Sequence, residues 1–137
     1  MGTWDVSVFG NDDAADFSFD FDDANTVETV VPILETAMDS VLNTDDYIDA
    51  SEGATGLVAA ALVVAWDQPE LMGDDAAYAP EPWPRATGTL PQHLRVKAAS
   101  AMDRLLKEES NELAELWNES GGLEDFRAEI MRWRSRL

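Results

Sequence analysis

Ten apolar residues run without a break from Leu57 to Trp66: Leu57-Val58-Ala59-Ala60-Ala61-Leu62-Val63-Val64-Ala65-Trp66. A run of that length is either a buried strand or a buried helix. Four of the ten are alanine, a strong helix former and a poor strand former. The element extends N-terminally through Ser51-Glu52-Gly53-Ala54-Thr55-Gly56, giving roughly four turns. Asp49 or Ser51 is placed to cap its start, and Gln68-Pro69 to stop it. A helix that is apolar on all sides must be buried on all sides. This one is too short for a bilayer, which needs about 20 apolar residues. The expectation is an all-α fold, a compact bundle of five or six helices around a central helix at about 51–68. Gly53, Gly56, Ala59 and Ala60 leave room for neighbouring helices to approach closely.

A central helix needs enough chain to cover it. The 137 residues suit a single domain, 1–137, and 45% of them are apolar, enough for a proper core. With no cysteine, disulfides, thiolate chemistry and Cys-based zinc sites are excluded. His93 is the sole histidine, which excludes a His-rich metal site. No basic segment leads into an apolar run at the start, so no signal peptide is expected. Val6 stands where a myristoylation motif needs Ser or Thr. A cytoplasmic location is the expectation.

The charge is large and lopsided. The formal net charge is −19, and residues 1–84 hold 19 acids and no Lys or Arg. Residues 85–137 hold nine acids and nine bases, which balance. The acidic half repels nucleic acid and anionic membrane, so neither is expected as a partner. Arg127, Arg132, Arg134 and Arg136 form a local basic cluster in the last turns of a helix, where the dipole favours cations. Pairing with the acidic half is expected of them rather than nucleic-acid binding.

The N-terminus carries the most specific pattern. Met1, Gly2 and Trp4 are followed by Phe9, then by Asn11-Asp12-Asp13-Ala14, Asp16 and Phe17. This stretch resembles the opening of the bacterial domain-of-unknown-function family 4259. The alanine-rich helix and the Leu113…Trp117 segment before Glu119-Ser120 are also similar to that family. Asp5 and Val8 depart from it, standing where the family usually has glycines. The resemblance implies a small, mostly helical cytoplasmic domain and no known activity.

Read physically, Asn11 is a good N-cap, and Asp12 and Asp13 then fall in the first helical turn. Trp4 and Phe9 are placed to fold back on Ala14 and Phe17 as a hydrophobic staple. The functional alternative gathers Asn11, Asp12, Asp13 and Asp16 around a cation or substrate. Phe17-Ser18-Phe19-Asp20-Phe21-Asp22 alternates like a strand, yet Ala14, Phe17 and Phe21 share one helical face. Helix over 12–22 is favoured, with a short strand as the competitor. Asn25 with Glu28 reads as a capping box for a helix reaching about Leu42. Pro32 then sits in the first turn of a helix starting near Val30, or kinks a longer one.

A proline-rich crossover loop follows at about 67–90. It is long for a structureless connection. Tyr78 and Trp83 need a surface to lie on; the loop is either tacked down or presents Trp83 and Tyr78 to a partner. The remaining half, 91–137, reads as helices. Pro91 occupies a first helical position, with Leu94, Ala98, Ala101, Met102, Leu105 and Leu106 buried. Glu108-Glu109-Ser110 breaks or bends that helix. Leu113, Leu116 and Trp117 lie in a short helix stopped by Gly121-Gly122, and a last helix at 123–136 buries Leu123, Phe126, Ile130 and Trp133.

Motifs for nucleotide binding, zinc proteolysis and serine hydrolysis are absent from the sequence. A calcium loop starting at Asp20 fails at Ala24 and at Asn25, where glycine is required. No catalytic residue and no cofactor is therefore expected. The leading functional expectation is a non-catalytic acidic protein binding a basic partner, in the manner of an inhibitor or immunity factor. The alternative is a metal-dependent enzyme using the Asn/Asp cluster. A third possibility is that the acidity serves only solvation.

Overall fold

The computed structural model describes residues 12–44, 46–72, 80, 83–107 and 109–137. Among these are six α-helices: α1 (Asp12–Ser18), α2 (Val27–Leu42), α3 (Ala50–Asp67), α4 (Gln92–Leu105), α5 (Glu112–Ser120) and α6 (Leu123–Arg134). Phe19–Phe21 and Pro69–Met72 are 3-10 turns. The described residues contain no strand, only an isolated parallel bridge between Ile48 and Asn111. The all-α bundle expected from the apolar run is the fold observed.

The central helix is α3, one residue offset from the 51–68 expected. Asp49 caps it, its Oδ1 accepting from Glu52 N at 2.8 Å. From Gly53 to Trp66 every residue but Thr55 is buried. It packs against α1, α2, α4 and α5, while α6 reaches the bundle through α4 and α5. The small residues serve two different neighbours. A Cβ on Gly56 would lie 2.4 Å from Val41 Cγ2 and 3.3 Å from the Ala37 carbonyl, so α2 comes as close as a glycine permits. Gly53 instead faces Leu105 of α4 and Leu113 of α5.

The alternation at 17–22 is resolved in favour of helix. α1 passes into a 3-10 turn, and Phe17 and Phe21 meet edge to face with centroids 5.1 Å apart. The start of α2 departs from expectation. Thr26, not Asn25, is the cap: its hydroxyl accepts from Thr29 N at 3.2 Å, and Thr29 Oγ1 accepts from Thr26 N at 3.1 Å. A short threonine hydroxyl at N3 completes the reciprocal pair in place of Glu28. Helix α2 thus begins at Val27 and Pro32 lies in its second turn. The carbonyl that Pro32 cannot satisfy belongs to Glu28, and both residues are exposed to water.

Other boundaries shift by a residue. Pro91 is the N-cap of α4, outside the helix rather than in its first position. Gly121 takes a left-handed conformation, φ 83°, and Gly122 N donates to Trp117 O at 2.8 Å, which ends α5. Leu123, the first residue of α6, and Leu106, the C-cap of α4, are only half-buried, and Leu116 is exposed. No helix among the described residues is long and apolar enough to cross a membrane.

Candidate functional site

Helix α2 shows two unlike sides. Toward α4 it carries Glu35 and Asp39, and α4 answers with His93 and Lys97. Lys97 Nζ lies 2.7 Å from Asp39 Oδ1 and 2.9 Å from Glu35 Oε2, and His93 Nε2 stands 3.1 Å from Glu35 Oε2. The hydrogen bond from Lys97 holds the Glu35 carboxyl below its ordinary range, against the opposing effect of burial. The Asp39 and then the Glu35 hydrogen bonds push the Lys97 ammonium up. The lysine fills the space between the two carboxylates, so the arrangement is an ion-paired seam rather than a metal set.

The α2 residues that line the groove toward α1 carry no charge. Pro32, Ile33, Thr36, Ala37 and Ser40 recur at helical spacing along that side. With Phe17, Asp20 and, from α3, Thr55 they line an open groove of about 480 Å³. Phe19, 67% exposed, stands beside Asp20 in the same 3-10 turn. A second, more polar cleft of about 430 Å³ lies at the C-terminal end of α3, between Asp67, Gln68, Thr89, Gln92 and Arg95. Arg95 is already engaged there, with Asp67 Oδ2 at 3.4 Å and the Arg136 carbonyl at 3.2 Å.

The crossover loop is tacked down where it is described. Trp83 is buried, donates from Nε1 to the Leu62 carbonyl at 3.0 Å, and meets Phe21 and Trp66 edge to face. Its ring is therefore not presented to solvent. The Trp83-Pro84 peptide bond is cis. Trp66 Nε1 donates to Gly88 O at 2.8 Å, and Arg85 ties the loop to the Ala24 and Asp22 carbonyls at 3.3 and 3.2 Å. Tyr78, the other aromatic of the loop, lies outside the described residues, as do Trp4, Phe9, Asn11 and the side chain of Asp12. Of the Asn/Asp cluster, Asp13 is half-buried and Asp16 exposed on α1. Among the described residues no three acidic or histidine side chains gather as metal ligands would, and no buried side-chain N or O lacks a hydrogen-bond partner.

The cations are distributed differently from expectation. Ion pairs from α4, through His93, Arg95 and Lys97, reach the acidic half, and Arg132 of α6 donates to the Leu71 carbonyl there at 3.4 Å. Two of the C-terminal arginines pair within their own half: Arg134 with Asp103 at 3.0 Å, and Arg132 with Glu129 at 3.2 Å. Helix α6 packs on α4 and α5, which places Arg134 beside Asp103. Meanwhile Asp16 on α1, Asp20 in the 3-10 turn, Asp23 after it and Glu28 in the first turn of α2 are exposed and take part in no ion pair among the described residues.

Sequence reading missed Asn111, a buried polar residue at the head of α5. Its position directly before Glu112, at the start of an apolar period, was the available signal. No curated protein and no solved structure matches the chain. The family model described as domain of unknown function (DUF4259) matches residues 2–129, and the chain belongs to that family.

Proposed function

We propose that this protein is a non-catalytic acidic helical module that binds a basic partner, in the manner of an inhibitor or immunity factor. The carrying observation is the unanswered acid on α1, the following 3-10 turn and the start of α2. Asp16, Asp20, Asp23 and Glu28 are exposed, while the α4 cations that reach the acidic half are spent on the seam with α2 and on Asp67. An uncompensated field of one sign steers an oppositely charged partner and makes its association strongly salt-dependent.

The test is affinity capture from native lysate, washed at low and then high salt, in parallel with a variant carrying Asp16→Asn, Asp20→Asn and Asp23→Asn. The expected result is a basic protein that elutes with salt and is captured at least about tenfold less by the variant, a loss of about 1.4 kcal/mol of binding. Capture that survives both high salt and the triple substitution overturns the reading. So does an empty column when added salt still raises the melting temperature. That pairing assigns the acidity to solvation and self-repulsion alone.

A further inference from the structure

Among the described residues, one side of α2 lines a groove whose sole charged lining residue is Asp20. Along the α1 side of α2, the groove is floored by Phe17, Ile33 and Ala37 and edged by the exposed Pro32, Thr36 and Ser40. Every lining residue comes from 17–55, a stretch with no Lys or Arg, and Asp20 lies at its edge with Asp16 one turn earlier on α1. A trough with an apolar floor and one acidic edge is the complement of a helix with one apolar face and a cationic shoulder. A symmetric pair of these chains would instead set acid against acid across the same trough. Resting on the acidic-partner reading above, we propose that this groove receives one amphipathic helix of the basic partner, its apolar face against Phe17, Ile33 and Ala37 and its Lys or Arg side chains toward Asp20 and Asp16.

The probe is a synthetic peptide of about five helical turns, with Leu at i, i+3, i+4 and i+7 spacing and Lys elsewhere. Its control is the same composition scrambled, which keeps the charge and abolishes the apolar face. Two variants of the full chain change the net charge equally: Thr36→Lys with Ser40→Lys in the groove, and Glu124→Lys on the exposed start of α6. The amphipathic peptide is expected to bind at least about tenfold tighter than the scrambled one, and the groove variant to weaken it about tenfold or more. Glu124→Lys should change it by no more than about twofold. On the unsubstituted chain, amide shifts induced by the peptide should concentrate on 17–20 and 32–40, a readout that does not depend on the variants folding.

Equal binding of the two peptides, equal weakening by both variants, or shifts centred on α5 and α6 would sink the groove and leave the acidic-partner reading standing. Failure of both peptides to bind at low salt overturns both. A self-associated form in sedimentation that the groove variant disperses would assign the groove to a second copy of this chain and overturn the proposal.

Discussion

At its N-terminal end α3 is joined to the molecule through backbone and short polar side chains. Ile48 N donates to Ser110 O at 2.8 Å and Glu112 N donates back to Ile48 O at 2.9 Å. Glu112 Oε1 accepts from Ala50 N at 2.8 Å, Asp49 caps α3, and Asn111 caps α5 through Ala114 N at 3.4 Å. The two helix starts thus satisfy one another's free N–H groups. Ser110 takes a left-handed φ of 56° to make the turn, and Arg104 fastens it by donating to the Ser110 and Glu109 carbonyls at 3.0 and 3.2 Å. At the C-terminal end α3 is held by indoles. Trp66 and Trp83 stand edge to face at 5.3 Å, and each spends its N–H on a carbonyl across the loop–helix boundary. One end is a polar joint of fixed geometry and the other a packed aromatic stack. The stack tolerates a long loop because area burial is not directional, whereas the joint requires its residues at set positions.

The largest effect should come from a substitution that disables both ends by disabling the helix between them. Leu62 is fully buried and its carbonyl accepts the Trp83 indole. Leu62→Asp buries an unpaired charge, costing several kcal/mol or more, comparable with the roughly 5–15 kcal/mol stability of a whole domain. Far-UV dichroism should show a chain unfolded at room temperature. A variant that melts like the parent would refute the central role of α3.

Next in size is the aromatic end. Trp83→Ala should cost about 3–5 kcal/mol, by denaturant titration, because the stack of Phe21, Trp83 and Trp66 loses its middle ring. Trp83→Phe keeps a ring and removes the N–H, leaving the Leu62 carbonyl its place in the helical ladder, and should cost about 1–2 kcal/mol. Equal losses in the two variants would mean that the hydrogen bond, not the packing, holds this end.

The polar end is tested at Asn111, whose Nδ2 donates to the Leu105 and Lys107 carbonyls at 2.8 and 3.0 Å. Asn111→Ala should cost about 1–3 kcal/mol, by the same titration. Asn111→Asp can still cap Ala114 but cannot donate, so it turns an acceptor toward two carbonyls. It should be no more stable than the alanine variant, and a near-wild-type result would reduce the joint to an ordinary cap.

The two ends also differ in how far they could be read from the chain. Trp83 in a proline-rich loop announced that it needed a surface, and the apolar run announced α3, because burial follows residue type. Which surface Trp83 would find depended on the 3-10 turn after α1 bringing Phe21 beside it, and no local pattern contains that. The polar joint was nearly silent. Asp49 was recognisable as a cap, but Asn111 is a common surface residue until Ile48, 63 positions earlier, pairs with its neighbours. Asn25 with Glu28 fitted a capping box and lost to Thr26 with Thr29, since both pairs share the same spacing and only the backbone conformation at Thr26 decides between them. The groove was hidden for a related reason. The uncharged row from Pro32 to Ser40 is visible once Glu35 and Asp39 are known to face α4, and that depends on Lys97 arriving between them.

The smallest effect lies at the rim of the polar joint. Tyr47, just before Ile48, donates its hydroxyl to Glu115 Oε2 of α5. That hydrogen bond, with the nearby carboxylates, pushes the phenol up to about 12 from its ordinary 10.0. A folded-state value above the unfolded one means that the contact contributes in full below pH 10.0 and is lost as pH rises toward about 12. The chain has two tyrosines, so phenolate absorbance followed through an alkaline titration, with dichroism recorded alongside, should resolve a late step that Tyr47→Phe removes. Glu115→Gln should move that step back toward the ordinary value while leaving the neutral-pH melting temperature nearly unchanged, because the pair is half exposed and well screened. If Tyr47 already ionises at its ordinary value in the unsubstituted protein, the joint ends at Ile48, and the polar end of α3 is confined to the backbone exchange with Ser110 and Glu112 and the two caps beside it.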